Sequence, residues 1–303
     1  MYEFKSKLSK YIKDFIELKH NLGYSYKTQE QLLKILDKIC LEEFSECEIL
    51  TKEIYERWMC YGSNSEKPET KNKRISVMRE LAKFIRLKRK DCFMPPDDSF
   101  VRKIKFTPNI ISIDNTEKFF YELDSLKSKN GEQFEVSMSV IFRLLYGTGM
   151  RPGEPCRLLL KDVDFNENKI FINESKGHRN RIVPLSEELA NILKKYNSYI
   201  SNDKRQFFFV YDNDKQIKTS MMAKVMHKVW DIAKLPQPSP RVYDWRHTFV
   251  SNRLLLWQQN SENVYLNTRY LSIFVGHESF EDTYYYFSLT PELFSTYKSA
   301  FDR

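Results

Sequence analysis

Over residues 1–90 the apolar positions recur every three or four residues, the spacing of amphipathic helices that turn one face to a shared core. Leu8, Tyr11, Ile12, Phe15 and Leu18 mark a first helix that stops near Asn21-Leu22-Gly23, where glycine suits a helix C-terminus. Leu32, Leu33, Leu36 and Ile39 mark a second. Thr51 stands where it can cap a third helix holding Ile54 and Trp58, and Pro68 to Thr70 open a fourth that runs to about Lys90. On this fourth helix Ile75, Met78, Ala82 and Ile85 fall on one side, while Arg79, Lys83, Arg86 and Lys90 repeat on another. The pattern breaks at Pro95-Pro96, and Pro108 follows; consecutive prolines cannot continue a helix, so an extended linker is expected over 91–107.

Beyond 108 two periods alternate. Helical spacing covers 115–127 and 134–146. Val163 and Phe165, then the turn-rich Asn166-Glu167-Asn168, then Ile170 and Ile172 alternate with period two and predict a β-hairpin, with Arg181-Ile182-Val183 as a third strand. Helical spacing resumes at 187–196, 220–233, 244–257, 268–275 and 291–301. The fold class expected is mainly α with a small antiparallel β-sheet. It divides into a helical domain over 1–90, the linker, and an α+β domain over 108–303 whose C-terminal tail is 287–303.

Composition sharpens this picture in three ways. Forty-one per cent hydrophobic residues, with 22 Phe and 18 Tyr, supply real cores and exclude a disordered chain. A formal charge of +8 favours an anionic partner, and its distribution is more telling than its total: over 71–90 nine basic residues stand against Glu80 alone. A merely solvated face would interleave both signs, so Lys71, Lys73, Arg74, Arg79, Lys83, Arg86 and Lys90 are taken as candidate nucleic-acid contacts. Five cysteines, at 40, 47, 60, 92 and 156, form an odd set without a CxxC pair, which argues against a disulfide framework and a zinc site. No signal-peptide or membrane-spanning run is present. A cytoplasmic chain without membrane, metal or cofactor is expected.

Candidate chemistry is spread along the second domain. Gly147-Thr148-Gly149-Met150-Arg151-Pro152-Gly153-Glu154 follows a helix with GxGxxxG spacing, which excludes a dinucleotide loop, and places Arg151 at a helix start where free N–H groups also favour phosphate. Lys176 lies in the turn after the hairpin. Arg246 opens another helix in Tyr243-Asp244-Trp245-Arg246-His247-Thr248; its guanidinium fork suits two nonbridging phosphate oxygens. His247, adjacent on the helix, points elsewhere and reads at least as well as a packing or capping residue. His277 follows Gly276 at a helix end. The run Tyr284-Tyr285-Tyr286 beside Phe287 reads as core aromatics as readily as chemistry.

Taken in this order the residues resemble the tyrosine recombinases, or phage-type integrases. The resemblance covers nearly the whole chain and is specific in the second domain. It implies Arg151 as the first catalytic arginine, Lys176 as the lysine of the β-turn, Arg246 as the second arginine, His277 as the next position, and Tyr286, nine residues on, as the nucleophile. The departure is Tyr243, where the family usually has histidine; a phenol can donate a hydrogen bond but accepts a proton poorly near neutral pH. His277, or arginines that favour the phenolate, are then left to assist Tyr286.

The resemblance implies a site-specific recombinase of a mobile element, an integrase or transposition enzyme. Such an enzyme would join paired sites in double-stranded DNA through a 3′-phosphotyrosine, as a homotetramer. A type IB topoisomerase and a noncatalytic DNA-binding protein derived from a recombinase are the alternatives. A metal-dependent transposase would need a carboxylate cluster; Asp162 and Asp164 are explained more simply by hairpin solubility.

Overall fold

In a computed structural model, the residues described are 2–61, 67–101, 107–173, 180–200, 204–212, 214–279 and 281–288. The chain divides into two compact units, Met1–Phe106 and Thr107–Arg303.

The first unit is built on four helices: α1 (Ser9–Asn21), α2 (Lys27–Glu43), α3 (Lys52–Cys60) and α4 (Pro68–Arg86). Their apolar stripes meet in one core, with Ile12, Phe15, Leu33, Leu36, Ile54, Trp58, Met78, Leu81 and Ile85 buried. Thr51 caps α3 by accepting the Ile54 N–H at 3.3 Å. Helix α4 ends four residues before the expected Lys90, where the Lys88 and Arg89 N–H groups both turn back to the Ile85 carbonyl at 2.9 Å. The stretch after it, expected as an extended linker, packs on this unit: Cys92 is buried, the Phe93 N–H donates to the Leu50 carbonyl at 2.9 Å, and its ring lies 5.6 Å from Tyr55. Prolines stop a helix without freeing the chain, and one 3₁₀ turn, Asp97–Ser99, forms directly after them.

The second unit begins with α5 (Ile113–Asp124), α6 (Glu132–Thr148) and the short α7 (Gly153–Arg157). Strands β1 (Val163–Asp164), β2 (Lys169–Ile172) and β3 (Arg181–Pro184) form an antiparallel sheet in that order, with Ile170 opposite Val183. Ile170, Ile172 and Val183 face the core, while Ile182 is exposed, as period-two alternation requires. Then follow α8 (Glu187–Ile200), the two-residue strands β4 (Val210–Tyr211) and β5 (Lys215–Gln216), α9 (Thr219–Ile232), α10 (Asp244–Gln259), α11 (Val264–Val275) and α12 (Glu281–Tyr284). The small β4–β5 ribbon, α7 and α12 leave too little periodicity to be read from sequence. The expected helix over 291–301 lies outside the described residues, as does the tail from 289 onward.

Helix α6 is the pillar of this unit. Met138, Ile141, Phe142, Leu144 and Leu145 are all buried, the sign of a helix covered on most sides. Trp245, in the first turn of α10, is held in an aromatic box with ring centroids 5.1 Å from Phe119, 5.5 Å from Phe120, 5.9 Å from Tyr146 and 6.4 Å from Phe142. That box fixes the rotation of α10, and with it the directions of its neighbours Arg246 and His247. A second apolar cluster joins Phe249, Val250 and Leu254 to Leu271, Val275, Tyr286 and Phe287, and seats the aromatic run after α12 against α10 and α11. Among the described residues no helix is long and apolar enough to cross a membrane.

Candidate active site

The first arginine is placed by a turn that only a residue free of side chain fits. Helix α6 ends at Gly149 with a left-handed φ of +60°, and a Cβ there would meet the Phe249 ring at 2.5 Å. Arg151 follows, its N–H donating to Glu154 Oε2 at 2.8 Å and its Nη1 to Glu154 Oε1 at 3.2 Å. Its Nη2 donates to the Gly276 carbonyl, which ties the turn before α7 to the end of α11. Glu154 is only 4% exposed and also takes both Nη groups of Arg181, at 2.8 and 2.7 Å. Burial alone would raise its pKa; the hydrogen bonds and charge of Arg181, with Arg151 behind them, overcome this and hold the carboxyl below its ordinary value. Arg181 completes the clasp by donating Nε–H to the Phe274 carbonyl at 2.9 Å.

Arg246 is fully buried. Its Nη1 donates to the Gly149 carbonyl at 2.9 Å, while Nε and Nη2 find no hydrogen-bond partner among the described residues. Burial lowers its pKa, and the positive charge of Arg151 acts in the same direction against the opposing pull of Tyr243, Tyr286 and Glu154. A guanidinium stays protonated in such surroundings, so a desolvated cation with two idle donors sits in the fold at a cost of stability. Those donors fit an anion with two oxygens in one plane.

Tyr286 stands beside it. The ring is 2% exposed, and its Oη lies 2.8 Å from His247 Nδ1. Burial raises the pKa of the phenol, with the charge of Arg246 opposing. His277 stacks on the Tyr286 ring at 6.0 Å and 19° between planes, and its Nδ1 lies 2.5 Å from Thr283 Oγ1. Burial, then the charges of Arg246 and Arg151, lowers the His277 pKa to about 3, so near neutral pH it acts as a neutral hydrogen-bonding ring and not as a cation. His247 is lowered to about 4, chiefly by burial. Tyr243, just before α10, is 37% exposed with its ring 5.1 Å from that of His247.

Four of the residues singled out in the sequence, Arg151, Arg246, His277 and Tyr286, thus converge, with Tyr243 at the rim. Lys176 lies outside the described residues, between the ends of β2 and β3. His247 is the residue that sequence reading misplaced: it does not point away but contacts Tyr286 directly. The reason is that the chain after Gly276 folds Tyr286 back against α10, so two adjacent helical residues both meet it. Glu154 and Arg181 were not singled out at all, because their pairing exists only in three dimensions.

The basic face of α4 also needs correction. Arg74 is 2% exposed and turned inward, donating to the Trp58 carbonyl at 2.9 Å and to that of Tyr61, with its guanidinium over the Trp58 ring. It serves packing, since the Trp58 and Tyr61 carbonyls and the Trp58 ring already hold the guanidinium. Arg79 donates to the Pro95 carbonyl and to Asp97. Lys73, Lys83, Arg86 and Lys90 are exposed and Lys71 half-buried. Asp162 accepts from the Leu159 N–H and Asn173, and Asp164 from the Asn166 and Glu167 N–H groups, so both carboxylates close turns. Among the described residues no group of three or more His, Cys, Asp or Glu could hold a metal ion.

The chain as a whole resembles proteins already known. A family model described as the phage integrase family matches residues 116–292. The protein y4rE of Sinorhizobium fredii, an integrase/recombinase by its description, is 27% identical over 163 residues, covering 52% of this chain and 53% of that protein. A second protein of that organism with the same description, y4rB, is 22% identical over 308 residues and covers 93% of each. The tyrosine recombinase XerA of Thermococcus onnurineus is 27% identical over 157 residues, or 50% of this chain and 51% of that protein. The chain therefore spans about half the length of two of these three relatives. Among solved structures, the Tn1549 transposon integrase in complex with transposon right-end DNA has a TM-score of 0.65 at 16% identity, covering 97% of this chain and 98% of that chain. The XerH site-specific recombinase bound to a difH substrate has a TM-score of 0.64 at 15% identity, covering 91% and 80%. The fold is shared with both.

Proposed function

This chain belongs to the phage integrase family of tyrosine recombinases, and on that premise we propose that it is a site-specific DNA recombinase with Tyr286 as its nucleophile. Tyr286 Oη attacks a backbone phosphorus; the new O–P bond forms as the bond to the 5′-oxygen breaks, leaving a 3′-phosphotyrosine. Arg246 and Arg151 hold the nonbridging oxygens and oppose the charge that builds on them, with His277 as a neutral donor beside them. Lys176 is assigned the proton for the departing 5′-oxygen. A 5′-hydroxyl from a second duplex then attacks the phosphotyrosine, so the bond energy is kept and no nucleotide hydrolysis is needed.

The observation that carries this reading is the pair of idle donors on fully buried Arg246, whose charge acts on the phenol of Tyr286. Lys73, Lys83, Arg86 and Lys90 are assigned phosphate contacts that supply salt-dependent affinity for duplex DNA. Exchange between two paired sites cuts four strands, one for each protomer of a tetramer. Integration or transposition of a mobile element is the setting that the likeness to a transposon integrase favours.

The test is a denaturing gel of the protein with a pool of nicked duplexes in chelator. The wild type forms a covalent protein–DNA adduct, Tyr286→Phe forms none, and Tyr285→Phe still forms it. Absence of any wild-type adduct across the pool sinks the reading. Strand exchange between two differently labelled duplexes separates recombination from topoisomerase-like religation.

A further inference from the structure

Tyr243 leaves the site without an imidazole three residues before Arg246, yet the hydroxyl that must lose a proton is already hydrogen-bonded to another one. His247 Nδ1 lies 2.8 Å from Tyr286 Oη, with the two ring centroids 5.5 Å apart. His277, the other histidine of the site, stacks on the face of the Tyr286 ring and turns its Nδ1 to Thr283, so its Nδ1 is engaged away from the hydroxyl. Resting on the recombinase reading, we infer that His247 is a catalytic residue, the general base that takes the proton from Tyr286 as its oxygen attacks phosphorus.

The step balances. With its own proton on Nε2, His247 presents the Nδ1 lone pair to Oη. As the Oη–P bond forms, the phenol proton passes to Nδ1, giving an imidazolium. The P–O5′ bond breaks with its electron pair going to the 5′-oxygen, which takes a proton from the general acid. When a 5′-hydroxyl later attacks, its proton passes to the now deprotonated general acid as the new O5′–P bond forms, P–Oη breaks, and the imidazolium returns its proton to Tyr286.

Geometry is supported by electrostatics. Burial holds the His247 ring neutral near neutral pH, the form that accepts a proton. The charged and titratable groups around it are Arg241, Tyr243, Asp244 and Arg246 of its own segment, Tyr286 after α12 and His277 after α11. Asp244 favours the imidazolium and Arg241 and Arg246 oppose it, so a bound phosphate that neutralises Arg246 raises the basicity of His247 at the moment it is needed.

The experiment measures single-turnover adduct formation on nicked duplex DNA, with affinity and melting temperature measured in parallel. His247→Gln keeps an amide against Oη but accepts no proton; adduct formation is expected to fall by about 10²- to 10⁴-fold with DNA affinity unchanged. Replacing Tyr286 by a fluorotyrosine, whose phenol is more acidic, recovers a large part of that loss. A residue that only orients the ring gives a loss the fluorotyrosine does not mend, and that result, or a wild-type rate in His247→Gln, overturns the proposal. If the variant fails to fold, the otherwise unchanged chain carrying fluorotyrosine at 286 decides: with an imidazole base the acid limb of the pH–rate profile keeps its position, and a limb that moves with the phenol overturns the proposal. Wild-type adduct formation throughout distinguishes failure here from failure of the recombinase reading.

Discussion

Glu154 grips the guanidinium of Arg181 with both carboxylate oxygens, at 2.8 and 2.7 Å, and reaches Arg151 at 3.2 Å with one of them. One buried carboxylate therefore orients an arginine assigned to the phosphate and locks β3 to the end of α11. Glu154→Gln keeps the shape and removes the charge, leaving two guanidinium groups without their anion. Breaking a buried pair in this way costs roughly 3–5 kcal/mol. The melting temperature is expected to fall, and adduct formation with it. The carboxyl pKa is depressed in the fold, so its contribution is complete above the ordinary value of 4.5 and is lost as pH falls through the lower folded value; the variant loses that acid sensitivity.

Arg246 predicts the opposite balance between stability and activity. Its Nε and Nη2 have no partner among the described residues, so Arg246→Met removes a desolvated cation at the loss of one hydrogen bond, to Gly149. The free variant is expected to melt no lower than the wild type, while adduct formation falls by about 10²- to 10³-fold or more. A melting temperature several degrees lower would mean that the guanidinium is there to hold the fold.

The two histidines give the second unit an acid weakness of their own. Both are lowered from 6.5, His247 to about 4 and His277 to about 3, so the fold prefers their neutral forms. The unfolded chain binds protons first, and stability present above pH 6.5 drains away as pH falls toward 4 and then 3. Urea unfolding at stepped pH should show this decline, and His247→Gln should flatten it between pH 6.5 and 4. An unchanged slope would remove burial of the neutral ring as its cause.

Within α4, inward and outward cations should behave differently. Arg74→Ala leaves the carbonyls of Trp58 and Tyr61 short of a donor and is expected to cost roughly 1–3 kcal/mol without changing how DNA binding depends on salt. Lys83→Ala and Arg86→Ala should do the reverse: unchanged melting, and a salt slope reduced by about 0.9 for each phosphate that is no longer neutralised. Filter binding across a salt series checks both.

Much of the second unit could be read along the chain because its signals are local. The alternation of Val163, Ile170, Ile172 and Val183 yields the sheet, and the apolar spacing of 134–146 yields the central helix. Arg74 was legible too, and misread: it stands four residues before Met78 and seven before Leu81, on the buried side, but its charge outweighed its position. His247 and the Glu154–Arg181 clasp were not legible. The first depends on how the chain re-enters after a left-handed glycine at 276, and the second joins residues 27 apart in sequence across different elements. Spacing arguments describe one element at a time, and a site made from the ends of four of them escapes that view.

The crowding at Gly149 carries its consequence into inheritance. The ring of Phe249 occupies the space a side chain at 149 would need, and the left-handed backbone there admits little besides glycine or asparagine. Position 149 cannot drift alone: a descendant that gains asparagine there must already carry a smaller residue at 249. In a randomised library asparagine at 149 should therefore survive only beside a smaller residue at 249, because the peptide whose carbonyl receives Arg246 has no other room for a side chain.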